Sequence, residues 1–316
     1  MKAGIMLPHL GENVTRENVL YTAKEAEKEG LDSVWALERL LWPLKPQTPY
    51  VATPDGSLPA QYQNVLDPLE TLTYLAGNTE RISLGTSIID MLFHNPVVLA
   101  RRFATLDILS GGRAIAGFGL GWSKDEYDVS GVPFKHRGER ADEFLQLLKQ
   151  AWTEEVVQFK GKFYNVPASK IGPKPLQKPH PRIVLGGFSP NTFSRVIKYG
   201  DAWMPIAGFG PLDQIEQAMN GLREGARKAN KDPSKISAVV LTYPNVIESG
   251  PSSSPGQQQQ QRLPMSGTID QIGSDIDRLK AIEGVDHIIF SHAFSPIGKD
   301  VKKMVELTKQ LARFAR

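Results

Sequence analysis

The sequence predicts a closed α/β barrel in which eight parallel strands each lead into a helix. Three observations carry that reading. Strand-length apolar runs alternate with stretches of helical period along almost the whole chain, the pattern of βα units around a parallel sheet. There are eight such runs, which suits a closed barrel better than an open doubly wound sheet. The 316 residues, 41% of them apolar, suffice for one barrel with length left over for insertions.

The strand runs are Ala3–Leu7, Ser33–Leu37, Ile82–Ile89, Arg113–Phe118, Arg182–Leu185, Ala202–Ile206, Ser237–Thr242 and His287–Ser291. Between them the helices carry their own punctuation. Thr15 opens the first, with Asn18 where a full capping box has Glu or Gln. Asn95-Pro96 supplies an N-cap and a proline at the first helical position, with an apolar face of Val98, Phe103, Leu106 and Leu109 ending at Ser110-Gly111-Gly112. Phe144, Leu147, Leu148 and Trp152 line a helix starting near Arg140, and Val301, Met304, Val305 and Leu311 line the last one. The architecture expected is therefore a (β/α)8, or TIM, barrel forming a single domain over 1–316.

Three stretches break the pattern, after strands two, four and seven. The first, 41–66, holds five prolines and Asp55-Gly56 and reads as a long loop, a kind that is usually functional. The second, 153–181, opens with a hairpin, Val156–Phe159 and Phe163–Val166 about a turn at Gly161, and continues as a proline-spaced tract. The third, 245–266, contains the serine- and glutamine-rich segment 249–264, with nothing to bury.

Composition removes several function classes. The 37 Lys and Arg against 34 Asp and Glu leave a net charge of +3, too small and too mixed for a nucleic-acid or membrane footprint. With no cysteine there is no disulfide, thiolate metal site, iron–sulfur cluster or cysteine nucleophile. Met1 to Pro8 is too short for a signal peptide, and no apolar run is long enough to span a membrane. A soluble cytoplasmic protein acting on a small molecule is expected.

In such a barrel the reactive groups stand at the carboxyl ends of the strands. Here those ends hold Pro8-His9, Glu38-Arg39, Asp90, Phe93-His94-Asn95, Gly119-Leu120-Gly121-Trp122, Gly186-Gly187-Phe188-Ser189, Tyr243 and Ser291-His292. Glycine, aromatic and amide groups dominate, which suits a large planar cofactor more than hydrolysis. Gly117-Phe118-Gly119-Leu120-Gly121 is not a dinucleotide fingerprint, because its third glycine falls one residue early. Gly186 to Asn191 turns from a strand into a helix, leaving backbone N–H groups free for a phosphate, although glycine there can also simply turn the chain. No tight His or Glu spacing points to a metal, and the isolated histidines read as structural. Lys124, Lys135, Arg137 and Arg140 form either a solvated face or an attractor for an anionic tail.

The block Asp107–Arg113, Gly117–Tyr127, Gly131–Phe134 and Arg137–Arg140 with Glu143 resembles the luciferase-like monooxygenase family, and within it the branch dependent on the deazaflavin coenzyme F420. Leu185–Pro190 and Gly200–Trp203 continue the likeness. The resemblance implies a barrel holding F420, or alternatively FMN, with a homodimer common in the family. By position, Asp90, Leu120, Gly121, Trp122 and Asp125 would approach the ring, and Gly186, Gly187 and Ser189 would hold the phosphate. In the sugar-phosphate dehydrogenases of the branch, strand two ends in Asp-His, whose histidine helps move a proton, and a glutamate follows the strand-four glycine. Glu38-Arg39 and Trp122 stand in those places here. An arginine stays protonated and cannot shuttle a proton, so the departure argues against that mechanism. Glu38 and Arg39 are the candidate catalytic pair, either acid–base groups or an ion pair shaping the site. The implied activity is hydride transfer on a small organic substrate; FMN-dependent oxygenation and a barrel that binds flavin without turnover are the alternatives.

Overall fold

The computed structural model describes residues 1–247 and 262–316. Eight parallel strands close on themselves: β1 (Lys2–Met6), β2 (Ser33–Ala36), β3 (Ser83–Thr86), β4 (Ala114–Gly119), β5 (Arg182–Gly186), β6 (Ala202–Met204), β7 (Ser237–Thr242) and β8 (Val285–Phe290). Each pairs with the next, and β8 pairs back onto β1 through Lys2 opposite His287. Closure removes sheet edges, and it explains why the strands read as near-continuous apolar runs: both faces are buried.

The inside of the barrel is filled chiefly by Met6, Trp35, Ile115, Val184, Met204, Val239, Leu241 and Ile289. Trp35 is the largest plug, and the chain makes room for it. A Cβ at Gly85 would come 2.3 Å from the indole, and one at Gly4 would come 2.1 Å from Ser33 Oγ. The indole N–H donates to Ser33 Oγ at 2.6 Å, and that hydroxyl lies 2.7 Å from His287 Nε2. A polar trio thus closes the floor beneath the apolar plug without leaving the indole N–H unmatched.

Outside the barrel lie α1 (Arg16–Lys28), α2 (Pro68–Ala76), α3 (Pro96–Leu109), the short α4 (Lys124–Val129), α5 (Arg137–Thr153), α6 (Pro190–Tyr199), α7 (Asp213–Lys228), α8 (Ile269–Ala281) and α9 (Val301–Ala315). Asn95 caps α3 as expected, its Oδ1 accepting from Val97 and Val98. The buried face of α3 differs from the sequence reading: Leu99, Phe103, Leu106 and Asp107 are buried, whereas Val98 and Leu109 are 53% and 57% exposed. Asp107 turns inward because Gln177 donates to it through both its backbone and its side-chain amide. α5 starts at Arg137, a turn earlier than expected, after His136 in a left-handed conformation.

The run Ile82–Ile89 is not one strand. It breaks after Thr86, and Ile89–Asp90 then rejoins β4 opposite Phe118 and Gly119. Ser87 and Ile88 bulge between the two pieces, at the barrel's carboxyl end. The hairpin between α5 and β5 is formed by Val157–Lys160 and Asn165–Ser169. The glutamine-rich segment lies outside the described residues as far as 261; beside it, Asn245–Val246 pairs with Ser266–Gly267 at the same rim. No helix among the described residues is long and apolar enough to cross a membrane.

Candidate active site

The carboxyl ends of β2 to β7 surround a cavity of about 480 Å3. Glu38 and Arg39 enter it from the end of β2, Ser87, Ile88 and Asp90 from the bulge after β3, Gly119 to Trp122 from β4, and Gly186 to Ser189 from β5. Met204 and Leu241 form the base, and Tyr50 and Tyr62 reach over from the long loop. Asp125 is the sequence candidate that does not take part. Its carboxylate faces the 41–66 loop, accepting the Gln47 backbone N–H at 3.0 Å and its side-chain amide at 3.3 Å, because Ser123 caps α4 and turns Asp125 outward.

Ile88 lines the cavity against the ends of β4 and β5. A Cβ on Gly119 would come 2.3 Å from Ile88 Cδ1, and one on Gly186 would meet Ile88 Cγ2 at 3.5 Å. The glycines of two strands therefore give the bulge its seat, and the cavity there is also lined by Trp122 and Tyr50, whose rings tilt together at 5.3 Å.

One side of the cavity is acidic. Glu38 Oε1 is 2.7 Å from His94 Nε2, and Glu38 Oε2 accepts the Asp90 backbone N–H at 2.9 Å. Burial, together with the carboxylates of Glu38 and Glu126, pushes the Asp90 carboxyl well above the usual carboxylate range, against the opposing pull of Arg39 and the Gly121 N–H. The protonated form of the Asp90 carboxyl is thereby favoured. Gly121 is required to be small there: its φ is +75°, and a Cβ would stand 3.2 Å from Asp90 Cγ.

Arg39 packs between an acid and two aromatic rings. Its Nη2 lies 3.0 Å from Glu126 Oε2, and its guanidinium stands 4.9 Å from the Trp122 ring and 5.2 Å from that of Tyr62. Both members of the ion pair are nearly sealed from water, with side chains 6% and 0% exposed. Arg39 Nε, Arg39 Nη2 and Glu126 Oε2 are all buried without a hydrogen-bond partner among the described residues, so the pair is a charge contact without hydrogen-bond geometry.

Opposite the acidic side is a cradle for an anion. Ser189 Oγ caps α6 by accepting from the Thr192 N–H at 3.1 Å. Gly187 has φ +122°, and a Cβ there would come 2.8 Å from Thr192 Oγ1, so only glycine fits the turn. Arg195, one and a half turns into α6, is held by Asp142 at 2.9 Å and the Gly138 carbonyl at 2.9 Å, and lines the cavity beside Arg137. Among the described residues neither Arg137 nor Arg140 has a carboxylate partner within ion-pair distance. A helix N-terminus, a glycine turn and two arginines together suit a phosphate-bearing ligand. No cluster of three or more metal-ligating side chains occurs among the described residues.

A planar slot beside an anion cradle at the mouth of a barrel invites comparison with known proteins. The model of the luciferase-like monooxygenase family matches residues 1–249. The chain belongs to that family. Among curated relatives, an F420-dependent glucose-6-phosphate dehydrogenase of Amycolatopsis mediterranei is 32% identical over 237 residues, covering 72% of this chain and 65% of that protein. An uncharacterised protein of Mycobacterium tuberculosis is 34% identical over 183 residues, covering 58% of this chain and 65% of its own length. The matches thus span about 65% of the length of these relatives. Among solved structures, an F420-dependent secondary alcohol dehydrogenase in complex with an F420–acetone adduct superposes with a TM-score of 0.75 at 21% identity, over 100% of this chain and 99% of that one. A monooxygenase from Streptomyces bottropensis gives 0.74 at 21% identity, over 99% and 98%. At that identity the structures share the luciferase-like barrel fold.

Within this luciferase-like barrel several wall residues lay outside the sequence reading. Arg195 and Thr192 follow the glycine turn on α6, and an arginine in a helix interior carries no signal of its own. Tyr50 and Tyr62 sit in a loop whose path the sequence does not encode legibly. His94, read as structural, does hold structure, but it does so through Glu38. Three other histidines are structural: at strand ends His9 bridges Leu7 and Leu37 and His292 joins Thr308, and near the start of β8 His287 joins Ser33.

Proposed function

We propose that this protein is an oxidoreductase that binds coenzyme F420 and transfers a hydride to or from a small organic substrate. The observation carrying the reading is the juxtaposition of the Gly187–Ser189–Arg195 cradle with the slot over Ile88, one suited to a phosphate and the other to a planar ring. Support for F420 over FMN comes from two relatives of at least 30% identity, each named an F420-dependent glucose-6-phosphate dehydrogenase. Arg137 and Arg195 on the cavity wall favour the same choice, since they suit a ligand carrying several negative charges.

When bound, the deazaflavin supplies or accepts the hydride; the protein provides everything else. The Gly187 turn, the α6 N-terminus, Arg137 and Arg195 hold the anionic end. Ile88 would pack against the ring, and Trp122 and Tyr50 would exclude water beside it. Asp90, whose protonated form burial favours, lines the slot beside Glu38. On this reading Glu38, on the cavity wall, is the candidate acid or base, while Arg39, paired with Glu126 and permanently charged, shapes the wall.

Titrating the purified protein with F420 and separately with FMN, followed by fluorescence, tests the proposal. Saturable F420 binding that weakens in Arg195→Ala is expected. Tight FMN binding with none for F420 would overturn it.

A further inference from the structure

The cavity continues outward. Past Tyr50, Trp122, Phe188, Ile206 and Tyr243, which belong to both spaces, it opens into a second chamber of about 1070 Å3. Among the described residues, no charged side chain lines this outer chamber. Its walls converge from separate segments: Val51 from the long loop, Phe188 from the turn after β5, Phe209 from the loop after β6, and Phe294 from the loop after β8. Val51 is 92% exposed, Phe209 60% and Phe188 52%. Single exposed apolar residues are ordinary, but several facing one concavity beside a candidate active site mark a ligand surface.

The rings are also ordered. Tyr243 lies 6.1 Å from Phe209 and 5.5 Å from Phe294, and Phe294 meets Tyr62 edge-on at 5.6 Å. The polar groups present are neutral: Gln61, Gln214, Thr53 and the tyrosine hydroxyls. Burial pushes the Tyr243 hydroxyl above its ordinary value, so it remains an O–H donor. The cations of the mouth are committed elsewhere, Arg39 to Glu126 and Arg195 to the inner cradle beside Arg137. A phosphate entering the outer chamber would lose its hydration and find no cation, which is costly.

We infer that the outer chamber is the substrate subsite and that it takes an uncharged, largely apolar, ring-bearing molecule rather than a sugar phosphate. The inference rests on the proposed function for the word substrate; the preference for uncharged apolar ligands rests on the chamber alone. Aromatic walls would stack the rings, the neutral amides and hydroxyls would orient an oxygen substituent, and Trp122, shared by both chambers, would bring the molecule to the edge of the inner slot.

The test uses the whole protein, cofactor-free and after F420 addition, with menadione as the probe and quenching of tryptophan fluorescence as the readout. Menadione should bind, and glucose 6-phosphate should not displace it. Val51→Glu and Phe209→Glu, both at exposed positions where folding tolerates a charge, should weaken menadione binding by about tenfold or more, with F420 affinity held within about twofold. Displacement by glucose 6-phosphate, or unchanged menadione affinity in both variants, overturns the inference. If menadione behaves as expected and F420 does not bind, the proposed function fails and the chamber assignment stands.

Discussion

His94 Nε2 stands 2.7 Å from Glu38 Oε1 while the other oxygen of that carboxylate takes the Asp90 N–H at 2.9 Å, so one side chain ties the end of β2 to the bulge after β3. Glu38 is only 6% exposed, and removing it would leave the buried Asp90 N–H and the half-buried His94 imidazole without their partner. Glu38→Ala should therefore lower unfolding stability by about 2–4 kcal/mol, and Glu38→Gln, which keeps one acceptor, by roughly half of that. Denaturant midpoints at constant m-value measure both. Equal losses in the two variants would mean that the hydrogen bonds do not set the cost.

The Arg39–Glu126 pair makes a different kind of prediction. Glu126 also accepts the Leu40 N–H at 2.9 Å, and burial pushes its carboxyl upward while Arg39 pulls it back. Glu126→Gln leaves the guanidinium buried without a counter-charge and should cost about 3–5 kcal/mol. Replacing both residues by Met removes the two charges together. The double variant should be more stable than Glu126→Gln, a comparison made by chemical denaturation; a double variant as unstable as the sum of its single changes would contradict a compensated pair.

Three buried histidines set the acid limit of the fold. Burial lowers the imidazoles of His9 and His292 to about 4 and that of His287 to about 3, from 6.5 when unfolded. Each pKa is lower folded than unfolded, so the unfolded chain binds the extra proton. Their stabilisation is complete above pH 6.5 and is lost as pH falls toward 4, by about 3 kcal/mol or somewhat more per group. Between pH 5.5 and 4.5, ahead of most carboxylate titration, unfolding should take up roughly three protons. The slope of unfolding free energy against pH gives that number directly, and an uptake below about one proton would sink the assignment of all three as neutral.

How much of this was legible in the chain follows from where each interaction partner lies. The barrel strands were readable because a buried parallel strand is a continuous apolar run, and the glycine turns because few other residues tolerate Gly121 and Gly187 in their observed backbone. The Ser87–Ile88 bulge was not readable, since Ile88 looks like another strand residue until Gly119 and Gly186 are seen to make space for it. The acidic side and the cradle depend on pairings that no local pattern encodes: Glu38 meets His94 across 56 positions and Arg195 meets Asp142 across 53. Likewise Asp125 lies in a motif that places its neighbours on the cavity, and only the path of the long loop reveals that it serves Gln47 instead.

The cradle yields the most direct functional prediction. Gly187→Ala places a methyl group where a Cβ would be 2.8 Å from Thr192 Oγ1, at a φ of +122° that L residues rarely adopt. The turn must shift, carrying its backbone N–H groups away from the anion, and F420 affinity should fall by about tenfold or more. Arg195→Ala should lower it comparably by removing a charge. Arg195→Lys should not restore it, because Arg195 holds Asp142 through Nε and Gly138 through Nη2 at once, a fork that a single ammonium cannot reproduce. Fluorescence titration reads the affinities and thermal melting checks the fold. Should the lysine variant bind F420 as the parent does while melting normally, Arg195 contributes charge alone, and its positioning by Asp142 and Gly138 is irrelevant to binding.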